Sequence, residues 1–358
     1  MLIPTTPNRP LSDPNECEQF GEMRLRFNAS LGLLENSAFD VNIVSYDDNY
    51  QNNQALSDAF KKHMLNVLDI LQKKYTKGTK IVEVGCGKGE FVELILACGG
   101  HFDIEGFDGA YEGVNPKIYK RYLSAEDRIN ADVVVLRHVL EHIQKPHEFL
   151  ELLNSIFGDV DIYIEVPDYQ WILENQCFFD ITYEHVNYFL PSSFHKLFSL
   201  IKCSDSLFEN QYQYVIANLG DLNEKFSKEY INSNWSYLEL DDLFPSLDDL
   251  TAQVIKEAKK GSSSIYIWGA ATKGVMFFHH LKLKFNNQFH LCKAAIDINS
   301  KKYGKYMPSS GLPIISPEDY FIRAKASDIL IVANPNYKDE IIKTVKNNIG
   351  QLPRIIYL

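Results

Sequence analysis

Cysteine is scarce and scattered: the six residues Cys17, Cys86, Cys98, Cys177, Cys203 and Cys292 include no CxxC pair. That spacing excludes a disulfide framework and the clustered thiolates of a zinc module, so reduced, mostly buried thiols and no bound metal are expected. Long apolar runs are missing as well. No stretch approaches the roughly 20 apolar residues that a membrane helix needs, and residues 1–10 lack the apolar centre of a signal peptide. The expectation is a cytoplasmic protein with no membrane partner. Positive charge is in deficit, 36 Lys and Arg against 47 Asp and Glu, for a net charge of -11. Such a chain repels a phosphate backbone, and no basic run interleaved with aromatics offsets this locally, so nucleic acid is not an expected partner.

What is present suits a globular protein. Hydrophobic residues make up 45% and charged residues 23% of 358, enough to build cores and too long for one of them. The pattern divides into an N-terminal arm at 1–53, an α/β domain at 54–200, a helical connection at 201–260 and a smaller α/β domain at 261–358. The first thirty-five residues carry no sustained period and read as an arm on the surface. Over residues 54–74, Leu56, Phe60, Met64, Val67, Leu68 and Leu71 recur at intervals of three and four, which predicts an amphipathic helix.

Short apolar runs at 80–84, 104–107, 132–136 and 161–166, separated by helical patterns, predict parallel βαβ units. A second alternation at 264–268, 293–296, 329–332 and 354–358 predicts another. The fold class is therefore α/β, with two Rossmann-like domains joined by a polar, acidic helical region. A monomer or a homodimer suits either arrangement.

The segment Glu83-Val84-Gly85-Cys86-Gly87-Lys88-Gly89 sits at a strand-to-helix turn. Its G-x-G-x-G spacing is one residue short of the dinucleotide fingerprint, which suits a cofactor with no pyrophosphate to seat and disfavours NAD. About twenty residues on, Asp108 ends the second strand, where a carboxylate can accept both ribose hydroxyls. Glu83 is placed to orient the far end of the ligand through the loop. The third unit closes on Ser124-Ala125-Glu126-Asp127, and Arg137-His138-Val139-Leu140-Glu141-His142 follows the next strand.

These segments resemble class I S-adenosylmethionine-dependent methyltransferases. The resemblance implies S-adenosyl-L-methionine as the cofactor, surrounded by Glu83, Gly85, Gly87, Gly89, Asp108, Ala125, Glu126 and His138.

After the fourth strand, Glu165-Val166-Pro167-Asp168 leads to Asp180-Ile181-Thr182-Tyr183-Glu184-His185-Val186-Asn187-Tyr188-Phe189, a dense ionisable cluster at the carboxyl ends where parallel sheets build sites. His185 has the chemistry of a base toward a hydroxyl or an activated carbon, Glu184 of its orienting partner, and Tyr183 of a hydrogen-bond donor. His142 joins them from the preceding loop. A capping and packing cluster is the bland alternative. The same residues are similar to the sugar C-methyltransferase family, which carries a like Glu-His-x-x-Tyr-Phe stretch, a histidine matching His142 and a C-terminal Rossmann-like domain. In that family the Glu-His histidine is thought to be the base.

Two departures stand out. The family usually begins with a cysteine-rich zinc module, and only Cys17 precedes Cys86 here. Its Glu-His is typically preceded by Tyr-His, where this chain has Thr182-Tyr183.

In the second α/β domain, Gly269-Ala270-Ala271-Thr272-Lys273-Gly274 forms another glycine-bearing turn. Thr272 and Lys273 are placed to cradle the diphosphate of a nucleotide sugar, and Asp297 to meet a ribose. A fold that only packs is the alternative. The expected reaction is methyl transfer to a sugar, with carbon methylation of a keto sugar slightly favoured. Methylation of a hydroxyl on a sugar or other small polar acceptor stays open, as does a catalytically silent cofactor-binding scaffold.

Overall fold

The computed structural model describes residues 1–44, 46, 49–261 and 263–358. Two sheets organise it. The first has seven strands in the order Ile201–Leu207, Tyr212–Asn218, Asp161–Pro167, Val133–Arg137, Lys80–Val84, Asp103–Phe107 and Ile118–Tyr119. The five strands from Asp161–Pro167 onward pair parallel, and the first two add antiparallel. Val133, Val134, Val135 and Leu136 are wholly buried, as expected of a strand covered by helices on both faces. Helices Asp58–Lys74 and Glu90–Ala97 cover one face and Pro146–Phe157 the other. The amphipathic helix begins at Asp58 rather than at 54. Its N-terminus is capped by the Ser57 hydroxyl, which accepts from Phe60 N and donates to Glu340 in the second domain.

The second sheet is all parallel, in the order Ile314–Ile315, Cys292–Ile296, Ile265–Trp268, Ile329–Val332 and Arg354–Tyr357. In each sheet the chain leaves one central strand, pairs on one side, and returns on the other. Those reversals fall beside Lys80–Val84 and beside Ile265–Trp268, and ligands of open α/β sheets bind in the crevice at such points. The glycine pair of the second turn has a packing reason. A Cβ on Gly274 would lie 2.0 Å from the Gly269 carbonyl oxygen, so the helix Thr272–Lys284 can start that close to the strand end only with glycine there.

The structure corrects two parts of the sequence reading. Residues 201–218 are not part of a helical connection, because Ile201–Leu207 and Tyr212–Asn218 form a hairpin that completes the first sheet. The outer strand of that hairpin exposes one polar side of Ile-Lys-Cys-Ser-Asp-Ser-Leu, and such an edge has the composition of a surface helix. Helices do follow, at Lys225–Asn232, Leu240–Leu243 and Ser246–Gly261. Nor is the N-terminal arm a surface feature. Leu25–Asn28 and Leu33–Asn36 form a four-stranded antiparallel sheet with Asn187–Phe189 and Ser236–Tyr237. Ile3, Met23, Leu25 and Leu34 are buried in one cluster with Val275, Met276 and Phe277 of the second domain. No helix among the described residues is long and apolar enough to cross a membrane.

Candidate active site

Both carboxyl edges open onto one cavity of about 250 Å³. The first sheet contributes His138, Glu141 and His142 from the loop after Val133–Arg137, and Glu184 and His185 from the loop before Asn187–Phe189. Gly269, Thr272, Lys273, Asp297 and Ala333 of the second domain form the facing wall. Asn8 and Tyr50 line it too.

Three of the expected acid–base residues, His142, Glu184 and His185, come together. The rings of His142 and His185 stand edge to face, 4.9 Å between centroids. His142 Nδ1 donates to the Glu184 carbonyl oxygen at 2.9 Å. A carbonyl only accepts, so this bond fixes the proton on Nδ1 and leaves Nε2 basic. Burial lowers the pKa of His142 and, with the neighbouring imidazoles His142 and His138, holds His185 well below the usual histidine range. Both imidazoles are neutral near pH 7, and His185 Nδ1 has no hydrogen-bond partner among the described residues. Burial pushes the Glu184 carboxyl up to about 8 against a hydrogen bond from Tyr50, whose hydroxyl donates to Oε2 at 3.1 Å. Oε1 has no partner among the described residues. Glu141, only 2% exposed, accepts no hydrogen bond at either oxygen among the described residues.

Beneath this group lies a buried ionic network. Glu165 accepts hydrogen bonds from His63 Nε2 at 2.7 Å and the Tyr163 hydroxyl at 2.8 Å, and is ion-paired with His138 Nε2 at 3.1 Å and Arg137 Nε at 3.7 Å. Burial would raise its pKa, but His63, Arg137 and His138 hold it well below the carboxylate range. Burial likewise would lower His138, and Glu141 and Glu165 instead raise it to about 9. His138 is therefore an internal cation as well as a wall residue. Two clusters present three potential metal-ligand atoms within 4.8 Å: His63, His138 and Glu165, consumed by these ion pairs, and Glu141, His142 and His185, facing the cavity.

The glycine turn expected to hold the cofactor is not part of the lining of this cavity. Gly85, Gly87 and Gly89 have φ of 75°, 57° and 83°, the left-handed region that glycine supplies. A Cβ on Gly85 would sit 2.4 Å from Val139, whereas one on Gly87 would meet nothing within 4 Å, so the turn faces open space at its centre. Asp108 Oδ2 accepts Gly87 N at 2.8 Å and Oδ1 accepts Ala110 N at 2.7 Å, which pins the carboxylate at the strand tip. Each oxygen keeps a lone pair for a ligand hydroxyl. These residues fit a ribose and an amino-acid moiety across a strand-to-helix turn. Glu83 is buried 3.8 Å from Arg137, and burial raises its carboxyl to about 7.

Several expected site residues are placed elsewhere. Tyr183 does not line the cavity. Its hydroxyl accepts Asp40 N at 2.8 Å and its ring packs on Phe39, because the chain bends at Tyr183 and Glu184. Ala125 and Glu126 are exposed in a turn held by Asp127, which accepts Ser124 N and pairs with Arg121. Lys273 is ion-paired to Asp180 rather than free for a phosphate. Asp297 accepts Ala270 N and Lys302 Nζ on Oδ2 and Asn299 N on Oδ1, an internal brace of the second domain. The Thr272 amide and hydroxyl are both bonded to Asn8. Reasoning from sequence missed Asn8, Tyr46 and Tyr50. Tyr46 Oη lies 3.0 Å from His142 Nδ1, and the only signal was two tyrosines four apart in a loop rich in Asn and Asp.

Comparison with known proteins follows this division. Residues 53–201 match a methyltransferase domain family and residues 209–357 a C-methyltransferase C-terminal domain. The second match thus begins inside the hairpin that completes the first sheet. The chain is 22% identical over 320 residues to C-methyltransferase NovU of Streptomyces niveus, spanning 80% of this chain and 74% of that one. Among solved structures, an S-adenosylmethionine-dependent methyltransferase from Archaeoglobus fulgidus is 18% identical, with 47% of this chain and all of that one covered and a TM-score of 0.35. Another from Aquifex aeolicus is 13% identical, with coverages of 46% and 96% and a TM-score of 0.32.

Proposed function

From the premise that this chain is a class I S-adenosylmethionine-dependent methyltransferase, with a methyltransferase domain followed by a C-methyltransferase C-terminal domain, we propose that it methylates a carbon of a keto sugar. His185 is the base in this reading. The observation that carries it is the meeting of two neutral imidazoles and an unpartnered Glu184 oxygen in one cavity between the two carboxyl edges.

The bound cofactor supplies an electrophilic methyl group on a sulfonium. In this reading the Gly85 to Gly89 turn and Asp108 would hold it, with Glu83 in the strand that leads into the turn. His185 takes the proton alpha to the acceptor carbonyl. Glu141, His142 and His185 present atoms within 4.8 Å of one another, so the proton gained is shared with a second imidazole and balanced by a carboxylate. The enolate oxygen needs a donor, and Thr182, in the place of the family's tyrosine, does not line the cavity. Glu184 fills that role. With its pKa near 8 it holds a proton at pH 7 and donates from Oε1, a carboxylic acid kept neutral by burial.

A nucleotide-linked sugar suits the facing wall in part. Both lysines among its described residues, Lys273 and Lys302, are already paired, so a diphosphate must rely on backbone amides there or displace Asp180.

The test is mass spectrometry with S-adenosylmethionine and a panel of nucleotide-linked keto and hydroxy sugars, the keto sugars pre-equilibrated in deuterated water. A methyl adduct that has lost one exchangeable deuterium is expected. An adduct retaining all ring hydrogens would replace this reading with hydroxyl methylation. Separately, Asp108→Ala is expected to weaken cofactor binding about 10–100-fold, the worth of one or two hydrogen bonds to a charged group. Calorimetric titration with S-adenosylhomocysteine checks it, and an unchanged Kd would remove Asp108 from the cofactor site.

A further inference from the structure

Residues 1–52 lie outside both matched domains, yet they supply part of the cavity wall. Asn8 is 2% exposed and its amide is fully used. Nδ2 donates to Thr272 Oγ1 at 2.8 Å and to Tyr50 Oη at 3.3 Å, and Oδ1 accepts Thr272 N at 3.2 Å. The segment is held there from both ends. Gln51 N donates to the Asn8 carbonyl at 2.8 Å, and Leu11 pairs with Tyr306 of the second domain.

The direction of this chain of bonds is set by chemistry. An amide nitrogen only donates, so Tyr50 Oη accepts from Asn8 and spends its own hydrogen on Glu184 Oε2. Glu184 is thereby held with Oε2 as acceptor and Oε1 toward the cavity. We propose that Asn8 is a positioning residue for methyl transfer: from the N-terminal segment it orients the Tyr50 hydroxyl, which fixes the Glu184 oxygen presented to the acceptor. The same amide ties that orientation to Thr272 at the start of the second domain's helix. The proposal rests on the reading of Glu184 as the group that donates to the acceptor.

Asn8→Asp tests it with almost no change of shape. The new carboxylate accepts but does not donate, so it draws the Tyr50 hydrogen away from Glu184 and reverses the chain. The fold tolerates the charge, since a carboxylate at the start of Thr272–Lys284 meets the positive end of a helix. Expected in the full chain is a fall in kcat of about 10–100-fold, with the Kd for S-adenosylhomocysteine and the Tm unchanged. Tyr50→Phe should fall similarly, and Asn8→Asp with Tyr50→Phe no further than Tyr50→Phe alone, because both act through one bond. Asn8→Ala, which adds no charge, should fall in the same direction.

A readout that needs no turnover accompanies these. The infrared band of a protonated carboxyl, assigned by its loss in Glu184→Gln, should persist to higher pH in Asn8→Asp, because the Tyr50 bond that lowers the Glu184 pKa is gone. Unchanged kcat together with an unmoved band, or penalties that multiply in the double variant, would overturn the proposal. If the wild type methylates no acceptor while the band moves as stated, the keto-sugar reading fails and the orienting role of Asn8 stands.

Discussion

Replacing His185 with asparagine is expected to lower kcat by about 10²–10⁴-fold and to leave the affinity for S-adenosylhomocysteine unchanged. Asparagine preserves polarity and approximate size at a half-buried position and removes the only basic atom. The selectivity of the effect comes from the architecture. His185 belongs to the loop that precedes Asn187–Phe189, while the cofactor turn belongs to the strand Lys80–Val84 and Asp108 to the tip of Asp103–Phe107. Among the described residues no hydrogen bond joins His185 to either. His142→Asn is expected to cost less than His185→Asn, because it leaves the base in place and removes only the neighbouring imidazole. Single-turnover rates and calorimetric titration on the same preparations separate the two quantities. Equal losses in the two variants would make the histidine pair, rather than His185 alone, the basic unit. A loss of cofactor affinity matching the loss of rate would instead make His185 part of the cofactor site.

How much of this was legible before the structure depends on how local each signal is. The cofactor turn is written in consecutive residues: three glycines at fixed spacing and an acid at the next strand end, which the structure joins through Asp108 Oδ2 and Gly87 N. His142, Glu184 and His185 were legible because they follow strand ends, and strand ends of parallel sheets converge. Tyr183 was misplaced by the same proximity. It sits beside Glu184 at a bend of the chain, and its side chain is turned away toward Phe39.

The roles of Lys273 and Asp297 were not legible, because the partners that neutralise them are set by tertiary packing. Asp180 lies 93 positions before Lys273, and Lys302 reaches Asp297 by folding back over Ala270. Asn8 was the least accessible of all. It stands in a segment without periodicity, and its importance comes from Thr272, 264 residues away. The edge hairpin was misread for a different reason, since a strand with one solvated face and polar composition carries the same residues as an exposed helix.

Glu165→Gln is expected to destabilise the first domain by about 3–5 kcal/mol, the range for breaking a buried ionic group by removing one partner. The carboxylate is wholly buried, accepts hydrogen bonds from His63 and Tyr163, and is the ion-pair partner of His138 and Arg137. Neutralising it leaves Arg137 and His138 charged in the interior, with Glu83 and Glu141 as the nearest counter-charges. The pH dependence follows from the directions of the shifts. Glu165 has a depressed folded pKa, so its contribution is present above the unfolded value of 4.5 and is lost as the pH falls further. His138 is raised from 6.5 to about 9, so its contribution is complete below 6.5 and is lost as the pH rises through 9. Glu83 and Glu184, raised from 4.5 to about 7 and about 8, favour the folded state fully only below 4.5 and lose that contribution as the pH climbs from 4.5 through those values. Stability of the wild type is therefore expected to be greatest near pH 4.5 and to decline from there toward pH 9. In Glu165→Gln the acid side of that profile flattens, because the group that loses its charge there is absent. The alkaline decline steepens at lower pH, because His138 has lost a partner that raised its pKa. Urea midpoints measured from pH 4 to 10 on both proteins test this. A variant whose profile runs parallel to the wild type, offset by a constant, would show that Glu165 supports the fold by shape and hydrogen bonding and not through its charge.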